Sequence, residues 1–276
     1  MTTGRRRNTL TRELITRRTI VKTGGGVALA LTAIGTGRVR RTSAHGATPE
    51  ASPEAGSLLG KWVTVRSRTL TGDVPADEVL STIESGYVPL LHDIPGFVAY
   101  LGIIDPNSEA SAFVTIFDDQ AGTDESTVLA GAWLQENNYT FFEGDPVVAE
   151  GPIGIATGSL SGGGDMATPG AGGLDGAYAA VRSRKLKEAA GAHQLLDMVQ
   201  EGFVSIIEGV PGFIAYIVVA NEENLDQVGI GIYADEAGAA ESTARSIEWG
   251  AGGAADLTEG DPVIFEGTIG LAEVVG

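Results

Sequence analysis

The chain has 276 residues, of which 43% are hydrophobic, 18 are basic and 36 acidic, and none is cysteine. That length has room for about two domains. The absence of cysteine excludes disulfides, thiolate metal sites, a cysteine nucleophile and a lipid-modified N-terminal cysteine. With only His45, His92 and His193, a multi-histidine metal site within one chain is excluded as well, and neither metal nor cofactor is expected.

Charge is distributed unevenly. Ten of the basic residues and a single acid fall in residues 1–41, which leaves 8 basic against 35 acidic residues, a formal charge of −27, on the remainder. A field of that sign repels phosphate backbones, so nucleic acid and anionic membranes are not expected partners, and solubility is its plainest role.

Residues 1–47 read as an address. Thr16-Arg17-Arg18-Thr19-Ile20-Val21-Lys22 resembles the twin-arginine export motif, and a weakly hydrophobic run, Gly24 to Gly37, follows it. That run is too short and glycine-rich to cross a bilayer, which takes about 20 apolar residues. Small residues at Ala44–Ala47 offer a cleavage region. The resemblance implies passage of a folded chain through the twin-arginine translocase to the periplasm, cell wall or exterior, with no stable membrane span after cleavage. The plainer alternative is a basic tail that contains Arg-Arg by chance. Residues 48–59, with two prolines and few apolar side chains, read as a stiffened spacer.

The remainder is a duplication. Pro95-Gly96-Phe97-Val98-Ala99-Tyr100 returns 116 residues later as Pro211-Gly212-Phe213-Ile214-Ala215-Tyr216, and Trp133 returns as Trp249. Residues 62–156 align with 178–272 without a gap, at roughly one-third identity. This gives a first repeat at 60–157, a glycine-rich linker at 158–175 and a second repeat at 176–276.

Within the first repeat, the alternation from Trp62 to Thr69 predicts a strand. Pro75 opens a helix with an apolar stripe of Val79, Leu80, Ile83, Tyr87, Leu90, Leu91 and Ile94, and Pro95-Gly96 ends it. Strands are predicted at Phe97–Ile104 and Ala112–Phe117, then a helix from Ala121 to about Glu136. Gly144-Asp145-Pro146 reads as a turn into a last strand, Val147–Ile155. The order β-α-β-β-α-β places both helices on one face of a four-stranded sheet, the ferredoxin-like arrangement. The other face is apolar too, because Phe97, Ala99, Leu101 and Ile103 alternate with Val98, Tyr100, Gly102 and Ile104. A sheet greasy on both sides must be covered on both. The expected fold is therefore α+β, two ferredoxin-like repeats closing into one intramolecular pseudo-dimeric barrel. The alternative is two independent domains that each pair with another molecule.

Each repeat resembles the antibiotic-biosynthesis monooxygenase domain of the dimeric α/β-barrel superfamily. The strand order, the Pro-Gly-Phe-x-x-Tyr passage and Phe117-Asp118-Asp119-x-Ala121 carry the resemblance. It implies a scaffold shared by cofactor-free oxygenases, haem-degrading enzymes and members without assigned activity.

Residues common to both repeats are read as fold. Arg66 and Arg182 with Glu150 and Glu266 form either a cross-strand ion pair in each half or a cationic groove for a carboxylate. Residues found in only one repeat are read as candidates for a site. His92 stands opposite Glu208, and Asn137, Asn138, Tyr139, Phe141 and Phe142 stand opposite Gly253, Ala254, Ala255, Leu257 and Thr258. The site expected on this basis is a first-half pocket with Tyr100, Trp133, Tyr139 and Phe141 as walls and Arg66 nearby. His92 is its candidate acid or base, or else only a helix-end histidine favoured by the dipole. The expected function is an exported acidic protein that binds a small apolar or aromatic ligand. The alternatives are a cofactor-independent monooxygenase acting on an aromatic or quinol substrate and, more distantly, a haem protein. The haem alternative is weakened because neither second helix contains a histidine. The mature chain is expected as a monomeric pseudo-dimer or a higher homo-oligomer.

Overall fold

The computed structural model describes residues 57–105, 107, 109–161 and 173–275. The proposed export signal, the spacer to residue 56 and the middle of the linker lie outside the described residues. The first half runs β1 (Trp62–Leu70), α1 (Ala76–Gly86), α2 (Val88–Leu91), β2 (Phe97–Ile104), β3 (Ala110–Phe117), α3 (Gln120–Glu136) and β4 (Phe142–Gly158). The second half runs β5 (Tyr178–Leu186), α4 (Gly191–Met198), a π turn at Val199–Phe203, α5 (Val204–Glu208), β6 (Phe213–Ala220), β7 (Asp226–Tyr233), α6 (Glu236–Gly250), α7 (Ala254–Leu257) and β8 (Thr258–Val274).

The eight strands close into a barrel in the order β1-β3-β2-β8-β5-β7-β6-β4, with every pairing antiparallel. Closure depends on two long strands that each serve both halves. β4 pairs with β1 through Pro152 and then with β6 from Ile153 to Gly158, and β8 does the same with β5 and β2. The barrel interior is a single apolar core drawn from both halves, with Val63, Val65, Leu101, Ile103, Val114 and Ile116 meeting Val181, Ile217, Val219, Ile230 and Ile232. One chain thus covers with its second sheet the face its first sheet would otherwise leave in water. The helices lie outside, and each half has its own second core between helices and sheet.

Three local features differ from the sequence expectation. First, a register shift between Phe97 and Ala99 puts Phe97 under the helices and Val98 against the barrel core, the reverse of simple alternation. The same bulge recurs between Phe213 and Ala215. Second, the first helix breaks at Tyr87, because Pro89 has no N–H and its ring crowds the carbonyl of Ser85. Third, Gly144-Asp145-Pro146 is a bulge inside β4 and not a turn before it. Glu143 pairs with Thr69 and Val147 with Ser67, and Gly144 takes φ +61°. At the ends of the linker, Leu160 and Leu174 are buried in the barrel core.

Candidate functional site

Two related pockets lie between sheet and helices, one in each half. Helix α3 is started by Asp119, whose side chain accepts from Gly122 N at 3.1 Å; Asp235 does the same for α6 through Gly238 N at 2.9 Å. Each helix brings a tryptophan down over a glycine of the facing helix. A Cβ on Gly86 would stand 3.0 Å from Trp133, and one on Gly202 3.3 Å from Trp249, so glycine permits the approach.

In the first half, alternation along β1 puts Arg66 and Arg68 on the helix side. Arg66 is 7% exposed and donates to Thr115 Oγ1 at 3.2 Å and to Thr127 Oγ1. Arg68 lies 4.8 Å from the centre of the Phe142 ring. Burial pulls the Arg68 guanidinium below its ordinary value and Arg66 adds to this, while Asp145 opposes it. Around these cations runs a closed ring of aromatic contacts. Tyr87 meets Trp133 and Tyr100, Trp133 meets Tyr139, Tyr139 stacks on Phe141, Phe141 meets Phe142, Phe142 meets Phe113, and Phe113 stacks on Tyr100. Tyr87 Oη donates to the Ser126 carbonyl at 2.8 Å. Burial pushes its phenol up to about 12, against the pull of Arg66 and of the Ser126 side chain. Tyr100 is held well above the usual phenol range by burial, reinforced by Tyr87. Both phenols are therefore neutral donors at ordinary pH. The cavity among these side chains is about 40 Å³, room for about one water.

The second half keeps the arginines and loses much of the ring. Gly229 and Thr258 stand where the first half has Phe113 and Phe142, and Ala255 and Leu257 where it has Tyr139 and Phe141. Of the aromatic contacts, Phe203 with Tyr216 and with Trp249 remain. The cavity is again about 40 Å³, because Tyr216 leans over Gly229; a Cβ there would lie 3.2 Å from its hydroxyl. Arg182, 5% exposed, bonds to Ser242 and Thr243, and Arg184 bonds to Thr258 Oγ1 at 3.1 Å. Arg182 Nη1 and the Tyr233 hydroxyl are both buried and neither meets a partner in good hydrogen-bond geometry, though the two side chains lie close enough to interact, as does Ser242 with Tyr233. Gly231 replaces Thr115, which in the first half accepts from Arg66.

The expected Arg–Glu cross-strand pairs do not form. Glu150 sits opposite Thr64 and Glu266 opposite Ala180, one pleat away from each arginine. Thr64 Oγ1 donates to Glu150 at 3.3 Å, and Thr243 donates to Glu266. Among the described residues, neither Arg66 nor Arg182 has a carboxylate within ion-pair distance. Both tie a strand to the helix above it through hydroxyls.

Of the expected walls, Arg66, Tyr100 and Trp133 line the first-half cavity, whereas Tyr139 and Phe141 stand behind the lining and reach it only through their ring contacts with Trp133 and Phe142. His92 is not part of it. It follows α2 at the surface, with Nε2 3.1 Å from Glu273 Oε1 of β8 and its ring 5.0 Å from Phe97. His193 is exposed and lies 3.3 Å from Glu222. Arg68, Tyr87 and Phe113 line the first pocket although the sequence did not single them out as site residues. Arg68 carried a readable signal, since it lies two residues after Arg66 on the same strand face. Among the described residues, no group of three or more His, Asp or Glu side chains is placed to hold a metal ion, and no helix is long and apolar enough to cross a membrane.

No protein-family model matches the chain, and no curated protein matches it. Solved structures do. A Fusobacterium nucleatum protein provisionally assigned as a monooxygenase aligns over 79% of this chain and 96% of its own, with a TM-score of 0.57 and 14% identity. An anthrone oxidase-like protein aligns over 79% of this chain and 94% of its own, with a TM-score of 0.53 and 13% identity. Those spans exceed one repeat, so the likeness takes in both halves. The chain shares with these two proteins its fold, two ferredoxin-like halves closed into one eight-stranded α+β barrel. At these identities the likeness concerns the fold alone.

Proposed function

We propose that the chain is an exported protein that binds a small aromatic ligand, with the first-half pocket as its site. The observation that carries this reading is the closed aromatic ring around Arg66 and Arg68, which the second half lacks although it has the same frame. Aromatic edges and faces suit a flat ligand, and the guanidinium groups suit a carboxylate or phenolate upon it. A cavity of about 40 Å³ holds no organic molecule as it stands, so the ligand enters by displacing the half-buried ring of Phe142. Export is supported by the Arg17-Arg18 motif, the hydrophobic run behind it and the change of charge beyond residue 41.

A second reading, cofactor-independent oxygenation, is favoured by the same arginines, which would stabilise an aromatic oxyanion, the electron-rich form that reacts with dioxygen. Against it, Tyr87 and Tyr100 hold their protons, and neither histidine nor carboxylate lines the pocket to act as base. Against a haem reading, both cavities are about 40 Å³ and neither is lined by a histidine.

Thermal unfolding with phenols, quinols and aromatic carboxylates tests the proposal. A ligand at a hundred times its Kd adds about 2.7 kcal/mol of stability. Phe142→Thr, which imports the second half's residue, should weaken binding at least about tenfold, and Gly229→Phe should leave it unchanged. Equal affinity in Phe142→Thr and the parent would remove the first-half pocket from consideration. Dioxygen uptake on adding the ligand in air would move the assignment to the second reading.

A further inference from the structure

A wider cavity, of about 380 Å³, opens where the two halves meet. One wall is Trp62 of β1 and Pro152 of β4; the other is Leu196 of α4 and the turn after β6. Gly154 lets α4 approach β4 closely, since a Cβ there would lie 2.5 Å from Leu196 Cδ1. The turn is braced from within. Asn221 Nδ2 donates to the Glu150 carbonyl at 3.0 Å, and Asn221 Oδ1 accepts from Glu223 N at 2.9 Å. Trp62 Nε1 is buried without a partner, so the indole shows the cavity carbon and not its N–H. At the rim stand Glu222, 3.3 Å from His193, and Glu223, whose exposed carboxylate makes no ion pair among the described residues. Neither lysine nor arginine lines the cavity.

We propose that this cavity is a second binding site and that it takes a small organic cation, an ammonium group on an apolar or aromatic body. The volume falls in the range of small-molecule sites. An indole surface beside carboxylates attracts a cation while excluding an anion. The net charge of −27 beyond residue 41 raises cation concentration around the whole chain. The residue types of the site are not repeated: in sequence Trp62 corresponds to Tyr178, Glu222 to Pro106, Glu223 to Asn107 and His193 to Asp77. The site also needs both halves, so it exists only because the barrel closes within one chain.

Calorimetry on the full chain tests this with phenethylammonium as the probe, and with phenethyl alcohol and 3-phenylpropionate as its uncharged and anionic analogues. The ammonium should bind one per chain, at least about fivefold more tightly than the alcohol, and the carboxylate should not bind. Glu223→Gln, at an exposed position where folding is not in question, should weaken the ammonium about three- to tenfold, and high salt should do the same. Trp62→Leu should abolish the preference for the cation. Equal affinity for ammonium and alcohol, an unchanged Kd in Glu223→Gln, or no binding at millimolar probe overturns the proposal. Loss of binding in Phe142→Thr but not in Glu223→Gln would place the probe in the first-half pocket and overturn it too, whereas failure of the aromatic-ligand reading leaves these outcomes unaffected.

Discussion

The two halves of this barrel share a frame and differ in what the frame encloses. Trp133 over Gly86 matches Trp249 over Gly202, the Asp119 cap matches Asp235, and Arg66 bound to Thr127 matches Arg182 bound to Thr243. These contacts fix helix to sheet, and both copies need them. The aromatic ring around the first pocket answers to no such demand. Phe113, Tyr139, Phe141 and Phe142 became, or arose from, Gly229, Ala255, Leu257 and Thr258 while the barrel stayed closed. In a duplicated chain, repeated residues therefore report mechanics, and unrepeated ones are where a ligand can have left its mark.

The largest expected effect breaks the symmetry at the seams themselves. Gly158 ends the β4–β6 seam at φ +79°, where a Cβ would lie 2.1 Å from the Ile214 carbonyl oxygen. Its counterpart at the β8–β2 seam is Val274, paired with Ala99. Gly158→Ala should cost about 3 kcal/mol or more through backbone collision and left-handed strain, and Val274→Ala about 1 kcal/mol through lost packing. Urea unfolding measures both. Equal costs would mean that the seams are mechanically equivalent despite their different residues.

The next effect is a difference in alkaline stability. Tyr87 stands where the second half has Phe203, and its phenol is raised from 10.0 to about 12 by burial. Above pH 10 the unfolded chain releases this proton while the folded chain keeps it, so the folded state binds more protons and stability falls as pH rises. The loss attributable to Tyr87 starts near its unfolded value and is complete near its folded one, about 3 kcal/mol in all. Tyr100 and Tyr216 are both raised and stand at matching positions, so they do not distinguish the halves. Comparing Tyr87→Phe with the parent in urea melts from pH 9 to about 12 isolates the contribution; the variant should lose less stability over that interval. Parallel curves would show that the Tyr87 proton is not held by the fold.

How much was legible follows from the range over which each signal acts. Barrel closure was readable because apolar character on both faces of one strand, Phe97–Ile104, demands two covers, a local pattern with a global consequence. The phase of that strand was not readable, because the bulge at Val98 sets Phe97 on the helix side and a bulge is fixed by the partner strand. The pocket was half readable. Tyr100, Trp133 and Arg66 were expected there and line it; Tyr139 and Phe141 stood out by contrast with the other copy but stand behind the lining. Arg68, Tyr87 and Phe113 come from three separate elements that only the folded sheet brings together. His92 drew attention for the same contrast, yet its position just past α2 takes it to Glu273 at the surface. Difference between copies identifies what has diverged; the fold decides whether the divergent residue faces a cavity.

The smallest effect tests the most concealed difference. Arg66 and Arg182 are equally buried, but removing them leaves different residues stranded. Without Arg66, the fully buried Thr115 hydroxyl loses the partner it now has, whereas Thr127 keeps its bond to the Thr123 carbonyl. Without Arg182, Ser242 still donates to the Ala239 carbonyl and Thr243 to Glu266, and a buried cation whose Nη1 lacks good hydrogen-bond geometry is gone. Burial already pulls Arg182 below its ordinary value, a sign that the folded chain holds this charge at a cost. Arg182→Met should therefore lie within about 1 kcal/mol of the parent, and Arg66→Met should cost about 1–2 kcal/mol more than that. Denaturant melts of the two variants under one set of conditions decide it. If Arg182→Met proves as costly as Arg66→Met, a buried water or a small turn of Tyr233 supplies the acceptor that Gly231 lacks, and the two arginines are energetically alike.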